Sequence, residues 1–432
     1  MTALRCHAER AGSQRPQSPW GPFQRRYLPS PGLALHILVL NEYFPPDTSA
    51  TAKQVCTLVE ALAERHRVTV LAGRPSYDPA ERHQPYLIRR EVRNNLVVER
   101  VGSTAFSRSG MKGRVSNYFS YLGLAVPRAL TIRSDVVLAM TDPPVEGITG
   151  ALVAKLSHRP LVYNIRDMYP DMALGGGIVR PGAAIELWER CHLWALRNAA
   201  HIIVLGEDMR ERIITKGVDP RRITVVRDAA PFPELLPPSD HPVIREIRGP
   251  FRFVLVHAGN LGFYGAWQTL IRGVAMLASE GVGLVFIGDG AMKAQIVEYA
   301  RCCSNVRFLA FRPADEVPYV MAAGDLQVVT VKRGLEGVVV PSKAYTILAA
   351  GRPLMAVATP QTEVARFAER DGCGVSADPD DPAAVAQAVR GVLNAPDRLE
   401  RMSRSARELA RTYDRVKQLR IFIAAIEEAG RA

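Results

Sequence analysis

Glu336-Gly-Val-Val-Val-Pro-Ser-Lys-Ala-Tyr-Thr-Ile-Leu-Ala-Ala-Gly-Arg-Pro353 is the stretch on which the reading of this chain turns. It reads as a loop carrying glycine, proline, serine and lysine that runs into a short helix. Pro341 suits the first helical turn, where a missing N–H leaves nothing unpaired. Gly351 ends the helix and Pro353 prevents its continuation. A helix opened in this way turns free backbone N–H groups toward whatever lies in front of it, and that end favours an anion. Lys343 in the first turn adds a mobile positive charge. Taken alone the stretch also reads as an ordinary loop and helix, so its surroundings have to decide.

On both sides, short apolar runs alternate with helical stretches. The runs Leu35–Leu40, Val68–Leu71, Val136–Met140, Leu161–Ile165 and His201–Leu205 predict strands. Between the first two, Val55, Leu58, Val59 and Leu62 share one face of a helix over Thr48–Glu64. A second series runs through Phe251–His257, Leu284–Ile287, Val306–Phe308, Leu326–Thr330, Leu354–Ala358 and Gly374-Val-Ser. Such alternation predicts parallel sheets with helices on both faces. Pro231, Pro233, Pro237, Pro238, Pro242 and Pro250 crowd the segment between the series. It is expected to be neither regular helix nor sheet. The expected order is an α/β chain with a disordered extension over 1–34, a first domain over 35–228 and a linker over 229–250. A second domain over 251–410 and a last segment over 411–432 complete it, with Val416, Leu419, Ile423 and Ile426 on one face of a helix Arg415–Ala429. Ligands of doubly wound sheets sit at the carboxyl ends of the strands, and two such halves offer the cleft between them.

The quoted stretch resembles the nucleotide-sugar loop of retaining GT-B glycosyltransferases of the family-four type. Its Pro-Ser-Lys form is similar to the branch, colanic-acid-like, that builds bacterial exopolysaccharide and O-antigen. Four more segments resemble that branch in the same order: His36-Ile-Leu-Val-Leu-Asn-Glu-Tyr-Phe-Pro-Pro-Asp47, Tyr163-Asn-Ile-Arg-Asp-Met-Tyr-Pro-Asp171, His257-Ala-Gly-Asn-Leu-Gly262 and Phe286-Ile-Gly-Asp-Gly290. The resemblance spans about residues 35–430. It implies two Rossmann-like domains facing across a cleft, with the final helix returning to the first domain. It implies transfer, with retention, of a sugar from a nucleotide sugar, UDP-linked, to a hydroxyl of a glycan or lipid-linked acceptor. No metal or further cofactor is expected.

Charge in such a transfer develops on the leaving diphosphate, so fixed donors and cations there matter most. The candidates are Lys343, the backbone over Gly337–Ser342 with Pro341 inside it, and Lys332 or Arg333. Glu336 and Thr346 are expected beside the bound donor. Gly259-Asn260-Leu-Gly262 follows a strand, and its glycines allow close approach of backbone to a phosphate. Gly288-Asp289-Gly290 follows the next strand and is expected near the base or ribose. In the first domain, Arg166 and Asp167 are expected at the cleft against the sugar or acceptor, as catalytic groups with Lys343. Asp167 also reads as a helix cap. Asp47 and Thr48 would lie beside the transferred sugar, with Asp47 open to the roles of cap, base or neither. The chain departs from the family where Thr346 stands at the second of two expected glutamates, and Glu336, ten residues earlier, does not match the first. Asn260 and, approximately, Tyr264 stand where many members place an Arg and a Lys on the diphosphate. More of the neutralisation would then fall on Lys343 and Lys332.

Size and composition fit this reading: 432 residues, 47% hydrophobic and 23% charged, are those of two globular domains. No run reaches the ~18 apolar residues of a membrane span. Six scattered cysteines show no metal spacing and read as reduced thiols. Neither half carries a full G-x-G-x-x-G with an acidic partner, which argues against a nicotinamide dehydrogenase. A net charge of +12 suits nucleic acid, an anionic membrane or a phosphorylated ligand, and no nucleic-acid motif accompanies it. Basic residues gather between 82 and 133, among them Arg82, Arg89, Arg90, Arg93, Arg108, Lys112, Arg114, Arg128 and Arg133. They surround an aromatic helix over Val115–Val126 that reads either as a dock on anionic lipid or as a core helix with a basic outer face. The membrane reading places the protein in the cytoplasm, peripheral on the inner face of the cell membrane. Two rival functions stand beside transfer: a nucleotide-sugar epimerase on the same fold, and a non-catalytic nucleotide-sugar-binding partner.

Overall fold

A computed structural model describes residues 34–47, 49–75, 86–104, 106, 111–230 and 237–431. The first half contains β1 (His36–Leu40), α1 (Ala50–Ala63), β2 (Arg67–Ala72), β3 (Ile88–Arg93), β4 (Leu96–Val101), α2 (Met111–Thr131) and β5 (Val136–Ala139). It continues with α3 (Glu146–Leu156), β6 (Leu161–Asn164), α4 (Asp171–Gly175), α5 (Ala183–Asn198), β7 (His201–Val204), α6 (Glu207–Thr215) and β8 (Ile223–Val225). The second half runs α7 (Pro242–Arg248), β9 (Phe253–Ala258), α8 (Trp267–Ala275), β10 (Val282–Ile287), α9 (Lys293–Tyr299), β11 (Val306–Leu309), α10 (Val317–Ala323) and β12 (Leu326–Thr330). Then come α11 (Lys343–Ala349), β13 (Leu354–Val357), α12 (Glu363–Glu369), β14 (Gly374–Ala377), α13 (Pro382–Leu393), α14 (Pro396–Thr412) and α15 (Arg415–Arg431).

The strands form two sheets, one of eight in the order β3-β4-β2-β1-β5-β6-β7-β8 and one of six in the order β11-β10-β9-β12-β13-β14. Every pairing is parallel except β3 with β4. Helices cover both faces, so central strands such as β5 and β10 are buried at every residue and read as unbroken apolar runs. The strand order reverses between β1 and β5 in one sheet and between β9 and β12 in the other. A crevice opens at the carboxyl ends at each reversal.

Four elements were not expected from the sequence. β3 and β4 form an antiparallel hairpin across Asn94-Asn95, with Asn94 at φ 47. The Asn-Asn turn between two β-branched runs was the available signal. The Arg-Arg-Glu-Val-Arg of β3 masked it, because an exposed edge strand tolerates charge on either face. β8 is only three residues long. α7 lies inside the proline-rich stretch that was expected to have no regular structure. Pro242 starts this helix, His241 Nδ1 accepts from the Val243 N–H at 3.3 Å, and Ile244 and Ile247 are buried. Proline breaks a helix interior but begins one well.

α15 packs on β5, β6, β7 and α1 of the first sheet. Its Leu419, Phe422, Ile423 and Ile426 share a core cluster with Ile37, Val39, Val55 and Leu62. A second apolar cluster runs between the halves and includes Met168, Leu205, Met209, Leu335, Val338, Val339 and Tyr345. Among the described residues no helix is long and apolar enough to cross a membrane. The segment 1–33, Thr48, Arg82, Arg108, Pro231 and Pro233 lie outside the described residues.

Candidate active site

The second-sheet crevice is built first by glycines. Gly259, Gly288 and Gly290 sit at φ 125, 146 and 158, values that side-chain-bearing residues rarely adopt. A Cβ on Gly288 would lie 2.1 Å from the Gly259 carbonyl oxygen. One on Gly290 would lie 2.5 Å from that of Leu261. The loops after β9 and β10 are therefore pressed together. The Gly259 N–H donates to the Ile287 carbonyl at 2.8 Å, and the Leu261 N–H to that of Asp289 at 2.9 Å. Gly262 turns its carbonyl to the Trp267 indole N–H at 2.8 Å. Asn260 and Tyr264 supply no cation here: the Tyr264 hydroxyl donates to the Asn260 carbonyl at 2.9 Å and ties the loop to itself. Asp289 stands out in solvent beside Lys293 at 3.6 Å.

Lys343 reaches this crevice as the first residue of α11. Its Nζ lies 2.8 Å from Nε2 of His257 and 3.2 Å from Nδ1. A Cβ placed on Gly259 would be 4.0 Å from it. The expected mobile charge is a correction: the amine is held by a ring, and burial lowers it to about 7. His257, on β9, is fully buried. Burial, then the charge of Lys343, hold its imidazole well below the usual value, so it is the neutral acceptor. α11 has seven residues with Ser342 before it, so Pro341 precedes the helix rather than sitting in its first turn. Ser342 is exposed and Thr346, one turn on from Lys343, is partly buried.

Lys332 and its neighbours divide. The Lys332 N–H donates to the Tyr264 carbonyl at 2.8 Å, and burial lowers the pKa of its amine. Arg333 turns away to Asp378 at 2.8 Å and Asp380 at 2.5 Å, so it is spent on the surface. The Glu336 carboxylate accepts from the Thr359 hydroxyl at 2.9 Å and from the Gly334 N–H at 2.8 Å. Gly337, at φ 66, would drive a Cβ to 2.3 Å from the Asp208 carbonyl oxygen. It is needed for contact with the first domain. Glu336 and Gly337 thus shape the loop and the interdomain seam.

Across the cleft, the first domain brings carboxyls. Asp47, in the loop after β1, is buried, and Asp142 follows β5. Asp167 follows β6 and forms an antiparallel bridge with Val339, while the Met168 N–H donates to the Val338 carbonyl at 3.0 Å. This places Asp167 against the loop that leads to Lys343. Burial, then Asp142, raise its carboxyl to about 6. Asp167 in turn acts on Tyr169 and on Tyr264 of the other domain. The cap reading does not hold: α4 begins at Asp171 after Pro170, with no side-chain cap bond. The Arg166 guanidinium is paired with Asp228, which also accepts from Gln54 Nε2 at 2.8 Å. His257 and Asp142 were missed as site residues, and Tyr264 was noted only where many family members place a cation. His257 lies near the end of β9 and Asp142 just after β5, but only their spatial neighbours mark them out. Among the described residues no group of three His, Cys, Asp or Glu is placed to hold a metal.

The halves are clasped by a reciprocal exchange. Glu363 of α12 accepts from the Glu207 N–H at 3.2 Å and from Arg227 Nε at 2.9 Å. Asp208 of α6 accepts from the Glu363 N–H at 2.9 Å. Each domain thereby satisfies a helix start in the other. The Tyr345 hydroxyl adds a bond to the Leu205 carbonyl at 2.9 Å.

The Glycosyl transferase 4-like domain family matches residues 49–229, and the Glycosyl transferases group 1 family matches residues 252–395. WbjE of Pseudomonas aeruginosa, named as a glycosyltransferase, is 28% identical over 262 residues, 60% of this chain and 66% of that protein, just under two thirds of its length. WcaI of Escherichia coli (strain K12), named for colanic acid biosynthesis, is 25% identical over 411 residues, 90% of this chain and 99% of that one. Among solved structures, Anabaena HepE in complex with UDP-glucose aligns with a TM-score of 0.62 at 17% identity, over 90% of this chain and 98% of its own. WaaG, a glycosyltransferase involved in lipopolysaccharide biosynthesis, aligns with a TM-score of 0.59 at 16% identity, over 90% and 99%.

Proposed function

The chain belongs to the GT-B glycosyltransferases of the family-four type, and from that premise we propose that it moves a sugar from a UDP-linked donor to a hydroxyl of a glycan or lipid-linked acceptor, with retention. The observation that carries this reading is Lys343. It is an amine beside Gly259, at the reversal of the second sheet, whose hydrogen-bond partner is a neutral ring and not a carboxylate. A nucleoside diphosphate brings the charge that this amine lacks. As the bond from the anomeric carbon to the phosphate oxygen breaks and the acceptor oxygen bonds to that carbon, negative charge gathers on the leaving diphosphate. In this reading Lys343 and the backbone N–H groups around it hold that charge. Asp167, on the other side of the cleft, serves the developing positive charge of the sugar. HepE, solved with UDP-glucose, supports the choice of base, and WcaI supports an acceptor in surface polysaccharide.

A lipid-linked acceptor requires the enzyme at a bilayer, at the cytoplasmic face where nucleotide sugars are made. Support comes from exposed Phe119, Val115 and Leu124 on α2, which also carries exposed Lys112, and from exposed Ile88 and Val92 on β3. Much of the basic block is engaged within the protein: Arg89 pairs with Glu91 at 3.8 Å, Arg90 with Glu99 at 3.6 Å and Arg128 with Glu99 at 2.7 Å, and Arg100 is buried against the Phe44 carbonyl at 3.4 Å. Tyr121 points into the core. The test is to incubate the purified protein with UDP-sugars, with and without a lipid-linked oligosaccharide extract, and to follow release of UDP and the fate of the sugar. Transfer that needs the acceptor upholds the reading. Release of free epimerised sugar, or binding without turnover under every condition, overturns it.

A further inference from the structure

Lys343 and His257 pose a problem of charge. A part-buried amine needs an acceptor, because an unsatisfied buried donor is costly. A carboxylate at position 257 would satisfy it and also neutralise it, and an incoming diphosphate would have to break an ion pair. An aromatic residue such as phenylalanine would fill the space and leave the amine without a partner. Imidazole is an acceptor of the right shape with no formal charge.

The ring is fixed for that role. Its centroid stands 4.7 Å from that of Trp267, edge to face, and 5.8 Å from that of Phe286. The Lys343 Nζ lies within 3.2 Å of both ring nitrogens, and in the neutral ring the nitrogen that carries no proton accepts from it. Burial is the cause acting on Lys343, and no carboxylate contributes. From the elements packed on α11, β12 brings Thr330, β13 is apolar, and Arg407 of α14 lies against Gly351 at the far end of the helix.

We propose that His257 is a positioning residue for Lys343, holding the amine at the Gly259 crevice while leaving its charge for the diphosphate of the donor. This rests on the donor reading above. Binding of the diphosphate then draws a proton onto Lys343 at alkaline pH, and donor affinity falls as pH rises above about 7, where the free amine loses its proton.

The test is calorimetry with UDP, with ADP, GDP and dTDP as companions, in buffers of different ionisation enthalpy. At pH 8 the wild type is expected to take up close to one proton on binding UDP. His257→Phe is expected to weaken UDP at least tenfold while the melting temperature holds within a few degrees, and His257→Gln to recover most of that loss. In a Lys343→Met background, His257→Phe is expected to add no further penalty, since coupled residues are not additive. A wild type that binds UDP without proton uptake overturns the proposal and leaves the donor reading standing. So does a His257→Phe penalty that persists undiminished without Lys343. Proton uptake is read on the wild type, so a variant that fails to fold does not protect the idea. A wild type that binds none of the four nucleotides overturns both readings.

Discussion

At the β9–β12 reversal the strand ends carry glycines, backbone N–H groups and the amine of Lys343. At the β1–β5 reversal they carry Asp47 and Asp142, with Asp167 just past β6 and Glu146 behind them. Glu146 is fully buried, and burial, then Glu42, raise its carboxyl well above the usual range. Two sheets wound in the same way thus present opposite chemistry across one cleft. The fold supplies two crevices and is indifferent to what fills them. The contrast suits a reaction in which negative charge leaves on one side while positive charge develops on the other.

The contrast depends on the two faces being held opposite each other, and the largest effect is expected there. Glu363→Ala strips Arg227 of a buried partner and the α6 start of an acceptor. A loss of about 3 kcal/mol is expected, read by denaturant unfolding. An unchanged midpoint would mean that the apolar seam alone clasps the halves.

Next comes the cationic face. Lys343→Ala is expected to cost at least ~2 kcal/mol in kcat/KM, the scale of one transition-state donor. Lys343→Arg should not restore it, because a planar guanidinium does not fit where a point charge did. Near-normal turnover of a folded Lys343→Ala protein would erase the distinction between the faces.

On the acidic face, Asp167→Asn is expected to lower turnover roughly tenfold, about 1.4 kcal/mol, while UDP still binds. Burial, then Asp142, push the folded carboxyl up to about 6, above the ordinary carboxylate value of 3.8. Protonation therefore favours the folded state, and that contribution is lost as pH rises through 6. Asn should then not lower the melting temperature at pH 7.5. A marked fall would make Asp167 a structural residue. Wild-type turnover should decline below pH 6, as the carboxylate takes up its proton.

The smallest effect concerns the outer surface of the first domain. Each basic residue at an anionic bilayer contributes about 1 kcal/mol, weakened by salt. Lys112→Glu and Phe119→Glu together should weaken sedimentation with anionic liposomes and spare turnover of a short soluble acceptor. Equal binding of the wild type to neutral and anionic vesicles would remove this surface from the account.

The alternating runs, the glycine loops after β9 and β10 and the start of α11 could be read along the chain, because periodicity and punctuation act over a few residues. The amphipathic face of α15 was legible for the same reason. β3 was not, since an edge strand needs no apolar alternation. The site was legible only as a set of candidates. Arg166, Lys332 and Arg333 each follow a strand end and Lys343 opens a helix, but the chain does not say which partner each cation meets. Folding gave Arg166 to Asp228 and Arg333 to Asp378 and Asp380, and it brought Lys343 to a neutral ring 86 residues away. Gly337 likewise met Asp208 of the other domain. A charge is neutralised by whatever strand order sets beside it, and strand order is decided by how whole helices and sheets pack, not by the residues next in the chain.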